Sequence, residues 1–479
     1  MAFTSFTFVA FIFAVVLVAN AVRDPSARSW VLLAANTVFI GSYVTHVSQL
    51  LPFAAFLGLC FVAVEAVRRT RSTRGQWLAI ALIVGTFVVL KRYSFLGQGL
   101  ALPFPYLVLG LSYVLFRVLH LVIDAQQGEL PRAISPRAFF NYTCNFLTFT
   151  AGPIQRYDEY AAQAAEPAVL TEARVFDAFA RLVKGFLKLC VVSAIFDNLF
   201  GMVSARLLDT SQPAHGAAFA AAYLAAAVFY TVYLYANFAG YMDIVIGVGA
   251  LLGQTLPENF NHPFLARNFL DFWSRWHMTL SNWFRTYLFN PLLKVLATRF
   301  TSSKAGPYLG VVAFFVTFTV MGVWHGSTAV FLVYGLLLGA GASVNKLWQV
   351  SASRVIGKKS YKSLAERALS VYLSRGLTCA YFALALTCLW VDMSQLRFLL
   401  SHLRLAGVVA CYLGLSFAAG GAFFVWDFCA AQLGRLHLSE GNRFRGVAAR
   451  NLGLGFQVLL IATVASFFHK APEFVYRAF

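Results

Sequence analysis

Apolar runs of roughly 17–25 residues, the length needed to cross hydrocarbon, recur along the whole chain, and a soluble fold could not hide them. They begin near Phe6, Trp30, Pro52, Gln76, Ala101, Gly216, Pro307, Thr328, Gly376, Leu405 and Asn451. The 479 residues are 59% hydrophobic and 12% charged, whereas soluble domains average roughly 45–50% apolar and about 25% charged. The pattern predicts an all-α, polytopic integral membrane protein with about 11 spans plus re-entrant or interfacial helices. The first run is followed by Arg23 and lacks a clean small-residue cleavage site. It therefore reads as a retained span.

The formal net charge is +19, but its placement argues against nucleic acid. The cations gather in short patches between apolar runs. One holds Arg68, Arg69, Arg71 and Arg74, and another holds Lys294, Arg299 and Lys304. A longer patch holds Lys346, Arg354, Lys358, Lys359, Lys362, Arg367 and Arg375, and a last one Arg435, Arg443, Arg445 and Arg450. This is the cytoplasmic-loop signature of a membrane protein, suited to fixing topology and to contact with anionic lipid. Counting from these loops puts both termini outside, which requires an even number of crossings. The seven cysteines lie mostly inside apolar runs and form no CxxC pair, so neither a disulfide framework nor a metal site is expected.

One membrane domain, 1–479, is the expected organisation. It comprises N-terminal flanking helices (1–100), an expected catalytic core (101–346) in which polar and aromatic residues become dense from about Asn141, a basic cytoplasmic loop (347–375) and C-terminal flanking helices (376–479). Polar groups are costly within a bilayer and mark functional sites there, so four stretches of the core stand out. In 145–157 (NFLTFTAGPIQRY), Gly152 and Pro153 interrupt a helix. Either a helix ends at the interface with Arg156 snorkelling, or a re-entrant segment lines a cavity. In 237–243 (NFAGYMD), Asp243 lies in a run otherwise free of charge. It calls for a partner such as Arg275 or Arg285, or for a wet cavity.

The third stretch runs from Glu258 through Asn261 to 272–287 (FWSRWHMTLSNWFRTY). With helical spacing, Trp273, Trp276 and Leu280 share one face and Arg275 and Thr279 another, which suits an interfacial or half-inserted helix carrying His277. The fourth is 321–326 (MGVWHG), where His325 lies between two apolar runs flanked by cytoplasmic loops. Two such runs form a hairpin with His325 near its apex. A 17-residue climb of about 25 Å is slightly short of a core of roughly 30 Å, so His325 is expected inside the membrane, nearer the outer face. Histidine can accept a proton from an attacking hydroxyl near neutral pH, and it can equally bridge helices by a hydrogen bond. No GxSxG, Walker A, HExxH or dinucleotide fingerprint is found.

At these residues the chain resembles the membrane-bound O-acyltransferase family, in the bacterial branch of alginate O-acetylation and teichoic-acid D-alanylation. The matching stretches are 109–113, 151–154, 238–243, 258–261, 272–281 and 322–326, with a weaker echo in the aromatic tail 473–479. The likeness runs from about Pro103 to Lys346. It implies a ring of tilted helices around a central tunnel, with His325 as catalytic base and His277 as the second characteristic histidine. Trp324, Asn282, Trp276, Arg275, Asp243, Asn261, Gly152 and Pro153 would line the substrate path. The implied reaction moves an acyl group, acetyl first, from a cytoplasmic thioester to a hydroxyl of an extracellular polysaccharide or of a secreted or periplasmic partner. The donor would be acyl-CoA or an acyl-phosphopantetheine carrier protein, with no permanently bound cofactor and no metal. The membrane would be the bacterial inner membrane. D-alanyl transfer to a wall polymer is the alternative, and a non-catalytic transporter or scaffold is the rival from another class.

Overall fold

The structure is a computed structural model that describes residues 5–94, 102, 104–130, 133–211, 215–302, 304–435 and 443–467. The aromatic tail 473–479 lies outside the described residues. Among them, regular structure is helical, apart from one isolated antiparallel bridge between Phe260 and Trp276. Among the described residues eight helices are long and apolar enough to cross a membrane, and the chain is a multi-pass membrane protein.

Seven of those eight correspond to runs visible in the sequence, from Val47–Thr70 to Met393–Gln432. The runs near Phe6, Trp30 and Ala101 become helices of 16 or 17 residues, Phe6–Ala21, Pro25–Gly41 and Leu111–Gln127, and the run near Asn451 gives the short apolar stretch Leu452–Val464. The eighth, Glu172–Leu207, is not among the runs read from the sequence. Arg174, Arg181, Lys184 and Lys188 punctuate its first half, although its most apolar stretch is as apolar as that of Gly306–His325. Helix starts follow local chemistry. Asp24, Ser72, Ser135 and Thr171 each accept a hydrogen bond from a backbone N–H of the first turn, and Pro25 and Pro136 sit where a missing N–H costs nothing.

The chain divides into two compact units interleaved along the sequence. One comprises Met1–Cys190, Asn237–Glu258 and Phe467–Phe479, and the other Val191–Ala236 and Asn259–Ser466. In the first, the helices Glu172–Phe186 and Gly216–Leu251 approach closely, because a Cβ on Gly240 would meet the Gly185 carbonyl oxygen at 2.8 Å. That crossing brings the cations of one helix to Asp243 of the other.

In the second unit, helices Gly306–His325 and Val330–Val355 form the expected hairpin, with His325 the last helical residue before the turn. Twenty residues rise about 30 Å, so the ascending helix is a little longer than the run read from sequence. The two helices meet through glycines. A Cβ on Gly322 would overlap the Gly335 backbone, and one on Gly335 would overlap the Thr319 carbonyl. Small-residue contacts of this kind drive helix association where lipid removes the hydrophobic incentive. Gly335→Val is therefore expected to separate the hairpin, at a cost beyond the usual 1–3 kcal/mol of overpacking (about that range for a single added group). Melting of the purified protein in detergent checks this, with Gly85→Ala, which faces open space, expected to leave the midpoint unchanged.

Candidate functional site

The 272–287 segment does not form the continuous amphipathic helix that its spacing suggests. It breaks into Phe269–Trp273 and Met278–Phe284. At the break His277 adopts the left-handed conformation, φ 45°, which costs a non-glycine residue roughly 1–2 kcal/mol. Two backbone bonds hold the turn, Asn261 N–H to the Arg275 carbonyl at 2.9 Å and Met278 N–H to the Asn259 carbonyl at 2.9 Å. The Trp276 ring anchors it further, lying 4.9 Å from Phe382, 5.1 Å from Phe260 and 5.6 Å from Phe272.

This turn buries His277 completely and pairs its Nδ1 with Asn259 Oδ1 at 3.2 Å. The same oxygen accepts the Thr279 backbone N–H at 3.0 Å and the Thr279 hydroxyl at 3.0 Å. A backbone N–H can only donate, so the Asn259 atom facing these groups is the oxygen. A carbonyl oxygen can only accept, so His277 Nδ1 carries the proton. In the neutral ring Nε2 is then the basic nitrogen. Burial holds His277 well below the ordinary imidazole range, and charge on His325 lowers it further, so His277 is neutral at neutral pH.

His325 is buried as well, 5% exposed. Its ring lies 4.9 Å from that of Trp324 and 5.7 Å from that of Tyr334, both edge-on. Tyr334 comes from the descending helix of the hairpin. The second unit therefore presents two buried imidazoles, that of His325 bordered by tryptophan and tyrosine.

The first unit holds a separate polar centre. Residues 144–156 leave the helix, and their backbone groups find partners inside the protein. Arg117, 1% exposed, donates to the carbonyls of Thr143 and Thr148. Asn36 Oδ1 accepts the Phe146 N–H at 2.8 Å, and the Tyr142 hydroxyl donates to the Gln155 carbonyl at 2.7 Å. Gly152 and Pro153 are buried within this segment. Arg156 reaches the surface and pairs with Glu129 at 2.9 Å and Asp158 at 3.4 Å.

A model of the family described as "MBOAT, membrane-bound O-acyltransferase family" matches residues 38–364. The chain belongs to the membrane-bound O-acyltransferase family. It is similar to the teichoic acid D-alanyltransferase of Streptococcus thermophilus, 28% identical over 315 residues, covering 64% of this chain and 72% of that one. The teichoic acid D-alanyltransferase of Bacillus subtilis is 30% identical over 241 residues, 48% of this chain and 56% of that one. The probable alginate O-acetylase of Pseudomonas fluorescens is 27% identical over 325 residues, 67% of this chain and 61% of that one. The matched portions thus span between 56% and 72% of these relatives' own lengths.

The match to the O-acyltransferase family extends beyond the 103–346 stretch read from motifs, at both ends. Of the residues singled out, the second unit gathers His277, His325, Trp324 and Trp276 as buried side chains. Asn261 and Asn282 are exposed, and Asn261 serves the turn through its backbone N–H. Arg275 is half-buried and pairs with Asp271 at 3.0 Å. That corrects the expectation that Arg275 or Arg285 partners Asp243. Asp243 is held by Lys188 at 2.7 Å and Arg181 at 3.2 Å, while Arg181 also grips both oxygens of Glu258 at 2.6 Å. Both carboxylate oxygens of Asp243 are thereby engaged in an ion-pair network, and the cations belong to the span Glu172–Leu207.

Asn259 is the residue that motif reading passed over in favour of its neighbour Asn261. Nitrogen-15 spectra of histidine-labelled protein in lipid are expected to contain an Nδ1-protonated imidazole that vanishes in His277→Gln. Asn259→Leu is expected to release that tautomer. Asn259→Asp is expected to keep it and to hold a second proton to higher pH, because an adjacent carboxylate favours imidazolium. A wild-type His277 protonated at Nε2 contradicts the assignment.

Proposed function

We propose that this protein transfers an acyl group, acetyl in the first instance, from a cytoplasmic thioester to a hydroxyl presented outside the bacterial inner membrane. The observation that carries this reading is the pair of buried imidazoles, His277 and His325, within the region matched to the O-acyltransferase family. His325 takes the proton of the acceptor hydroxyl as its oxygen attacks the thioester carbonyl. The carbon–sulfur bond then breaks, and the proton passes from His325 to the departing thiolate. Neutral His277, fixed by Asn259, offers its Nε2 lone pair to a donor of the thiol carrier or the acceptor and keeps the pair of rings from charging together. Burial among Trp324, Tyr334 and Trp276 limits bulk water, which would otherwise hydrolyse the thioester.

The donor in this reading is acyl-CoA or the phosphopantetheine arm of an acyl carrier protein. The exposed cations of the helix Lys358–Glu366, Lys358, Lys359 and Lys362, suit the phosphates of either carrier. The acceptor is an extracellular polysaccharide, reached directly or through a secreted acyltransferase partner that relays the group. The relatives named teichoic acid D-alanyltransferase favour a second reading, D-alanyl transfer to a wall or surface polymer, which uses the same two imidazoles.

His325→Ala is expected to abolish O-acylation of the envelope polymer, by at least 100-fold for a lost general base (about 10²–10⁴), with membrane insertion and abundance unchanged. Ester-linked acetate or D-alanine released by mild base from whole cells measures it and names the acyl group. Undiminished acylation in a well-inserted variant contradicts the enzymatic reading in favour of a scaffold.

A further inference from the structure

In three spans an acid meets a cation of the chain itself. Glu65 is held by Arg68 and Arg69, Asp243 by Lys188 and Arg181, and Asp427 by Arg375 at 2.7 Å. Asp197, on the helix Ser193–Leu207, is different. It is half-buried, and among the described residues it makes neither an ion pair nor a hydrogen bond. The nearest cations along the sequence, Lys188 and Arg206, each lie nine residues away. At 1.5 Å per residue that is about 14 Å to either side, which puts the carboxylate near the middle of a hydrocarbon core of roughly 30 Å. An acid at that depth is costly unless something compensates it.

The helix is committed to the protein on one side. Phe196 packs on Phe229, 5.9 Å between ring centroids, and Phe200 packs on Tyr230 at 5.1 Å and Trp390 at 5.4 Å. Ser193, Asp197, Gly201 and Ala205 recur every four residues and form one row along the helix. That row passes from full burial at Ser193 to exposure at Gly201 and Ala205, so Asp197 stands where it emerges from the protein. A Cβ on Gly201 would meet nothing within 4 Å, and small residues let a second helix come close in lipid. Asn198, also half-buried, donates its amide to the Ala194 carbonyl at 2.8 Å, which leaves its oxygen as a further acceptor beside the carboxylate.

Charge decides what covers this face. Lipid tails bring no cation to mid-membrane, and a second copy of this chain would set carboxylate against carboxylate. A helix with Lys or Arg at the middle of its own span brings the opposite charge at the same depth. We propose that the face around Asp197 and Gly201 docks a transmembrane helix of another protein that carries a basic side chain at mid-span. Asp197 pairs with that cation, Asn198 accepts a second hydrogen bond, and Gly201 admits the backbone. This assignment is independent of the acyl-transfer reading.

The full chain, donor-labelled in phosphatidylcholine proteoliposomes, is titrated with acceptor-labelled synthetic helices of about 20 apolar residues whose central residue is Lys, Leu or Glu. Energy transfer is expected to saturate with the Lys helix and to stay at the level of random proximity with the other two. Asp197→Asn and Gly201→Leu are each expected to weaken the Lys helix tenfold or more. Gly85→Leu, on another exposed helix face with open space around it, is expected to change nothing. Asp197→Lys is expected to reverse the preference towards the Glu helix. The proposal is overturned if the Lys helix binds no better than the Leu helix, or if unlabelled copies of this chain displace it. It is also overturned if Asp197→Asn and Gly201→Leu both bind it normally while eluting as monodisperse protein.

Discussion

One oxygen atom, Asn259 Oδ1, accepts hydrogen bonds from three donors around a single turn, and the state of the second unit's centre follows from it. A backbone N–H fixes the amide's orientation, the amide fixes the imidazole's proton, and the proton's position leaves the opposite nitrogen basic. The left-handed backbone at His277 is the conformational cost of this arrangement, offset by the Phe260–Trp276 bridge and the aromatic rings packed around Trp276. A buried polar group without such partners would cost about 1–3 kcal/mol, and more where lipid excludes water.

The same rule governs the first unit. A non-helical segment is tolerated at membrane depth only where protein meets its backbone groups, and Arg117, Asn36 and Tyr142 do so for residues 144–156. Arg117 meets neutral carbonyls there, whereas Asp243 meets two cations. The two centres are thus built differently. One is an ion-pair network with both carboxylate oxygens engaged, and the other holds two buried imidazoles, of which His277 is fixed with its proton on Nδ1.

Much of this was legible in the sequence because membrane constraints are local. Apolar run length gave the hairpin that ends in His325, and the break at Gly152 and Pro153 marked the non-helical segment. What stayed hidden depended on contacts between segments. The role of Asn259 arises from a left-handed turn, which helical periodicity through 272–287 cannot represent. The partners of Asp243 sit on a helix that was not read as a span, so the carboxylate seemed to need an arginine from 275 or 285.

The central claim is that the imidazole of His325, though buried, is reached by an external hydroxyl. Thiol accessibility tests it most directly, using His325→Cys in a background with the seven native cysteines replaced, probed in sealed right-side-out vesicles with a small membrane-impermeant maleimide. The account expects modification from the outer face, slowed when a bulky acceptor fragment occupies the path. A thiol that stays unmodified from both faces in a correctly inserted protein would mean the residue is sealed from water, and the acyl-transfer mechanism would fail with it.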